Sequence, residues 1–201
     1  EDGEAMEWEP RYNRAPTNLC PIKSMHSPDV LRLFRWGLIP HWAKDEKIGY
    51  RMINARAETL AEKPSFRNAL AHGRCLVYVD GFYEWKKEGK VKSPFRITLK
   101  DEKPFALAGL TERWENLEGE VIHSFTIITT SPNSLMSHVH DRMPVILNKE
   151  ATALWLEPSA SPAAAQALLQ SYPDDAMAMY RVDPAVGNVR NDNPSLIAPF
   201  S

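Results

Sequence analysis

The stretch Cys75-Leu76-Val77-Tyr78-Val79-Asp80-Gly81-Phe82-Tyr83-Glu84-Trp85-Lys86-Lys87 makes the fold class legible. Cys75–Val79 is an apolar run of strand length, and Asp80-Gly81 interrupts it. Phe82–Trp85 resumes as an aromatic strand. Working outward, Lys86–Lys92 with Gly89 reads as a hairpin turn, and Pro94–Leu99, Phe105–Leu110 and Val121–Thr130 read as strands. Glu115–Glu120 is a polar turn before the last of these. Upstream, Val30–Leu38 is β-forming and stops at Pro40, whereas residues 10–28 hold four prolines and read as extended loop. Glu58–Ala71 has helical spacing and ends at Gly73, with Pro64 either kinking it or dividing it into two short helices. Downstream, Asn148 caps a helix over Lys149–Leu156, Ser161–Gln170 is helical, Met177–Arg181 is a final strand, and the tail from Asp183 is irregular. Many short strands with a few short helices predict an α+β fold, mainly an antiparallel sheet or distorted barrel.

Composition bounds what such a fold can do. At 201 residues, one domain spanning 1–201 is expected. The chain is 43% hydrophobic and 25% charged, which excludes disorder throughout. No apolar run has membrane-spanning length, and the acidic Glu1-Asp2-Gly3-Glu4 does not read as a signal or transit peptide. Two cysteines, Cys20 and Cys75, are too few for a disulfide framework or a four-cysteine zinc site. The net charge of −2 argues against a polyanion partner until its distribution is read. Residues 10–100 hold 18 Lys and Arg against 8 Asp and Glu, a net of +10, whereas residues 101–201 hold 6 against 13, a net of −7. That basic stretch is either scattered over solvated loops or gathered into a face for phosphates.

Three clusters have the residue types for chemistry. By strand alternation Phe82, Glu84 and Lys86 share one face and Tyr83 and Trp85 the other. Glu84 is then either part of an exposed Glu/Lys surface or a cleft carboxyl whose raised pKa suits proton transfer. His140-Asp141-Arg142-Met143-Pro144 gathers an imidazole, a carboxylate and a guanidinium at a proline turn. It is either a proton-handling loop or one held by an Asp–Arg pair. His138 nearby lacks companions for a zinc site, so no metal is expected. In Asn54-Ala55-Arg56-Ala57-Glu58 the polar residues face one way if the segment is extended. Arg56 can grip a phosphate and the Asn54 amide can donate and accept. Trp36 and Trp42 are either core residues or, where exposed, stacking platforms for an unpaired base. There is no Gly-rich phosphate loop and no Gly-x-Ser-x-Gly elbow.

Taken in order, six motifs resemble one family. They are Arg11-Tyr12-Asn13-Arg14-Ala15-Pro16, Arg35-Trp36-Gly37-Leu38-Ile39-Pro40, Ile53-Asn54-Ala55-Arg56-Ala57-Glu58-Thr59, Asp80-Gly81-Phe82-Tyr83-Glu84-Trp85, His140-Asp141-Arg142-Met143-Pro144 and Val186-Gly187-Asn188-Val189-Arg190-Asn191. Over residues 11 to 198 the chain resembles an SRAP domain (SOS response-associated peptidase). The resemblance implies a sensor of abasic sites in single-stranded DNA. Such a protein removes its own initiator Met and cross-links to the lesion through the N-terminal Cys so exposed, with lyase-like reversal. It implies that Asn54 orients the cysteine and sugar, Glu84 handles protons, and His140 acts as acid or base at the sugar. Arg56 and Arg142 would bind flanking phosphates, Trp42 would wedge against the DNA, and Thr129 would add a contact. Ala43 stands where some relatives carry a second tryptophan. The implied protein is a monomer without cofactor, cytoplasmic and in a bacterium at the nucleoid. The family's Met-Cys-Gly-Arg start is not in the sequence, which opens at Glu1. Either such a segment precedes Glu1 or this relative does not cross-link, and the intact Asn54, Glu84 and His140 favour the first.

Overall fold

The computed structural model describes residues 9–200. Its strands are β1 (Leu19–Ser24), β2 (Ser27–Trp36), β3 (Asn54–Arg56), β4 (Arg74–Val79), β5 (Phe82–Glu88), β6 (Val91–Leu99), β7 (Phe105–Glu115), β8 (Val121–Thr130), β9 (Met143–Pro144), β10 (Ile146–Leu147) and β11 (Met177–Arg181). The helices are α1 (Pro64–His72), α2 (Lys149–Leu156) and α3 (Pro162–Ala167), with short 3-10 turns between elements. Strands β7, β4, β1, β2 and β8 pair in that order, and β8 pairs back to β7, closing a barrel. Four of these contacts are antiparallel. The fifth, β2 with β8, is parallel, as is β3 with β8. A second, antiparallel sheet runs β11-β6-β5. The α+β class with a distorted barrel is therefore the fold of this chain, with mixed strand directions.

Alternation along the barrel strands explains the packing. Cys20, Ile22, Cys75, Val77, Leu107, Phe125 and Ile127 come from β1, β4, β7 and β8 and fill one cluster, with Phe34 and Trp36 of β2 packed against it. Their neighbours Leu76, Ala106, Ala108, Leu110 and Ile128 point the other way, into a cluster with Phe66 and Leu70 of α1, Trp155 of α2 and Ala165 of α3. Both faces of β4 and β7 are thus covered, so these strands read as continuous apolar runs rather than as alternating ones. Pro64 occupies the first position of α1, where a missing N–H costs nothing, so the periodic segment is divided there rather than kinked. Asn148 accepts a hydrogen bond from the Ala151 N–H and Ser161 from the Ala164 N–H, fixing the starts of α2 and α3.

One expectation fails. Residues 10–28 are not all loop: β1 and the start of β2 lie there. The Asn18 carbonyl accepts from the Trp36 N–H across the β1–β2 pair, so by alternation the nitrogen of Pro21 faces away from β2. Pairing with β4 on that other side begins only at Ile22. The proline therefore interrupts no ladder, which is why its presence does not exclude a strand. The hairpin turn between β5 and β6 is also tighter than predicted, because pairing continues to Glu88 opposite Val91.

Candidate active site

Glu84 is on β5 of the second sheet. Tyr83 and Trp85 pack against Val182, Val186 and Leu196 on one side. Glu84 faces the other way and is half-buried. Lys86 does not pair with it, since its ammonium meets Glu88 at 2.7 Å. Burial pushes the Glu84 carboxyl above the ordinary carboxylate value. His140 is near enough for its charge to pull the other way, a backbone hydrogen bond from Trp85 also lowers it, and Asp141 raises it. The alternative of a simple exposed Glu/Lys face therefore drops out. An open cleft of about 680 Å³ lies beside this pair, walled by Trp85, Lys86, Lys87, His138, His140 and Asp141 among others.

His140 belongs to the loop before β9 and is exposed. Its Nδ1 accepts from the Arg142 N–H at 3.0 Å and lies 3.2 Å from Asp141 Oδ1. Arg142 is not paired with Asp141, as the sequence allowed. Its guanidinium forks onto Glu58, at 2.7 and 2.8 Å, and also donates to the Thr129 carbonyl at 2.7 Å. Thr129 is the residue of β8 that pairs with both Arg56 of β3 and Pro144 of β9. The Arg142 pairing holds the Glu58 carboxylate below its usual value.

Strand β3 exposes Asn54 and Arg56 and buries Ala55, and the following 3-10 turn buries Ala57 and exposes Glu58. The predicted one-sided display is thus present although the segment is extended only through Arg56. Neither Asn54 nor Arg56 side chain hydrogen-bonds another group among the described residues. The two tryptophans separate. Trp36 is stacked on Phe125 with centroids 6.4 Å apart and donates its indole N–H to the Ile53 carbonyl. Trp42 is 51% exposed on a loop that Trp114 anchors through the Ala43 carbonyl at 2.7 Å. No hydrogen bond joins Trp42 to Glu84 or His140.

Sequence reasoning missed two features. Glu58 was seen only as a member of an exposed row, and nothing local marks it as the partner of a residue 84 positions away. The other is a clamp between the chain's ends. Asp192 accepts from the Tyr12 and Asn13 N–H groups at 2.6 and 3.1 Å and pairs with Arg11. The buried Asn13 amide is within 3.0–3.2 Å of the Val186, Asn188 and Asn191 carbonyls, and Tyr83 donates to the Tyr12 carbonyl. Two of the six motifs meet there, so their value is structural. Both cysteines are buried. Burial pushes the Cys20 thiol up to about 11 against the pull of Arg14, and pushes Cys75 up as well. Neither is a nucleophile at neutral pH. No three His, Cys, Asp or Glu side chains gather to hold a metal, and no helix is long and apolar enough to cross a membrane, among the described residues.

A mixed barrel with a flanking sheet thus sets a half-buried carboxyl within electrostatic reach of an exposed imidazole, with exposed cationic and aromatic side chains elsewhere on the same fold. Residues 1–189 match the family described as SOS response associated peptidase (SRAP), and the chain belongs to it. It is 52% identical over 194 residues to the abasic site processing protein YoqW of Bacillus subtilis, covering 95% of this chain and 87% of that one. It is 34% identical to the abasic site processing protein HMCES of Xenopus tropicalis, covering 98% of this chain and 68% of that one. A crystal structure of a Bacteroides thetaiotaomicron protein superposes with a TM-score of 0.84 at 37% identity, covering 96% of this chain and 82% of that one.

Proposed function

We propose that this protein processes abasic sites in single-stranded DNA by forming a covalent cross-link through an N-terminal cysteine of the family's Met-Cys-Gly-Arg start. The carrying observation is the half-buried Glu84 carboxyl with His140 in electrostatic reach, in a chain whose relatives are named for abasic site processing. The α-amine of such a cysteine has a pKa near ~7.7–8.0, so much of it is neutral at physiological pH. It attacks the deoxyribose aldehyde, water leaves, and the thiol adds to the imine carbon to close a thiazolidine. Glu84 accepts and returns protons during imine formation, His140 protonates the ring oxygen as the sugar opens, and Asn54 orients the cysteine and sugar. Arg56 holds a flanking phosphate and Trp42 stacks against an exposed base. Peptidase activity is limited to removal of the initiator Met. In this reading residues 1–201 act as one domain, as a monomer.

The test is a denaturing gel of the chain carrying the Met-Cys-Gly-Arg start, mixed with a single-stranded oligonucleotide bearing one abasic site. A heat-stable shifted band is expected, and it should vanish when the cysteine is changed to alanine. A shift that appears only on native gels would replace cross-linking with non-covalent binding. Independently, Arg56→Ala should weaken DNA affinity and lower the slope of log K against log salt by about one. An unchanged slope would take Arg56 out of contact with phosphate.

A further inference from the structure

We propose that Glu58 is a positioning residue, whose grip on Arg142 holds the His140 ring in the orientation and tautomer that its proton transfer requires. The inference rests on the reading of His140 as the acid or base of this site. Its physical basis is the path of one side chain. Arg142 stands just before β9 and turns its guanidinium back across β8, donating to the Thr129 carbonyl at 2.7 Å and forking onto both Glu58 oxygens. Because Thr129 is where β8 meets β3 and β9, this one side chain clips β8 and the turn that follows β3 to the residue leading into β9. The clip ties the element bearing Asn54 and Arg56 to the loop bearing His140.

The other end of the same residue acts on the ring. The backbone N–H of Arg142 donates to His140 Nδ1 at 3.0 Å. In the neutral imidazole that acceptor role places the proton on Nε2 and leaves Nε2 as the nitrogen available to a substrate. A shift of the Arg142 N–H away from the ring would leave Nδ1 to the Asp141 carboxylate, 3.2 Å away, which accepts only from a protonated Nδ1 and so exchanges the tautomers. Arg142 also keeps its Nε buried without a partner. An unpartnered buried donor is costly, so this extended side chain persists because the fork and the Thr129 carbonyl hold it. Glu58 thus occupies the guanidinium edge that a phosphate would otherwise take. The charges near His140 are Asp141 from its own loop, Glu84 from β5, and Lys86 and Lys87 of β5 across the cleft.

The side chains of Glu58 and Arg142 are 48% and 20% exposed, so losing the pair should cost little stability and Glu58→Gln should fold. Three measurements on the cross-linking chain test the idea. In Glu58→Gln the single-turnover rate at saturating abasic single-stranded DNA should fall about tenfold or more, with DNA affinity unchanged. Imidazole ¹⁵N spectra should show His140 changing from one tautomer to a mixture. Arg142→Lys, which keeps the charge but not the fork, should show the same two effects, and the double variant should be no slower than the slower single. Glu58→Asp provides the charge-retaining control and should restore the single tautomer in part. An unchanged rate and spectrum in Glu58→Gln, with His140→Ala inactive, overturns the inference. Tighter DNA binding with a steeper salt slope in Glu58→Gln also overturns it, making Glu58 a competitor of phosphate. Full activity in His140→Ala would instead remove the proposed chemistry, and the spectrum alone would then decide whether Glu58 sets the ring.

Discussion

Glu84→Gln should lose cross-linking by about 10²–10⁴-fold while its melting temperature stays level or rises. The two effects have one cause. Glutamine fills the same space beside the His140 loop but cannot take or return a proton. The wild-type carboxyl is half-buried, and desolvation raises its folded pKa above the ordinary value. A raised carboxyl holds its proton more tightly in the folded state than in the unfolded one. Its favourable contribution is therefore complete below the unfolded value near 4.5 and is lost as pH rises through the folded value. Once ionised, the carboxylate is a stability cost that His140 offsets only in part, and the amide removes that cost. The stability gap between variant and wild type should accordingly widen from about pH 4 upward. Wild-type rates in Glu84→Gln would remove the carboxylate from the mechanism. A lower melting temperature at pH 7 than at pH 4, relative to wild type, would show that Glu84 is a stabilising anion instead.

The largest loss of stability is expected away from the site. Arg74→Leu should cost about 3 kcal/mol or more, read from urea midpoints with the slope held constant. Arg74 is fully buried. Its Nε donates to the Trp155 carbonyl at 2.7 Å, one terminal nitrogen donates to Leu70 and Ala71 at 3.0 and 3.3 Å, and the other donates to Glu157 at 2.6 Å. The Leu70, Ala71 and Trp155 carbonyls are ones that the ends of α1 and α2 leave without partners, and the Glu157 carbonyl just past α2 also accepts from the Ala160 N–H. The guanidinium joins both helices to β4, and leucine would leave three helix-end carbonyls without a donor, two of them in buried positions. Arg74→Lys should recover little, because a single ammonium cannot span the two helix ends. A change within about 1 kcal/mol for Arg74→Leu would mean that water reaches those carbonyls.

How much of this was readable beforehand depends on the range of each interaction. The strand at Cys75–Val79, the Pro64 break, the Asn148 cap and the exposed row of Asn54, Arg56 and Glu58 all follow from neighbours a few residues apart. The strand at Leu19–Ser24 did not, because Pro21 is tolerated only where the adjacent strand has yet to begin pairing, and that is a fact about β4. Arg74 shows little of its role in its own segment, since only Leu70 and Ala71 are near in sequence and its other acceptors, Trp155 and Glu157, come from the end of a helix far along the chain.

Charge shows the same division. The net +10 of residues 10–100 is a property of the chain, but Arg35 is paired with Glu46, Arg74 is buried, Arg96 is held by Tyr180 and Asp80, and Arg56 alone among these makes no hydrogen bond to a described residue. Alternation by itself determined that Glu84 and Tyr83 face opposite ways. Only tertiary structure decided that the Glu84 side meets His140, that Trp36 is packed while Trp42 is open, and that β8 closes on β7. The reason is physical: backbone geometry sets which face a side chain occupies within its own element. What that face meets depends on which distant segment packs there, and that is settled by burial of the whole core.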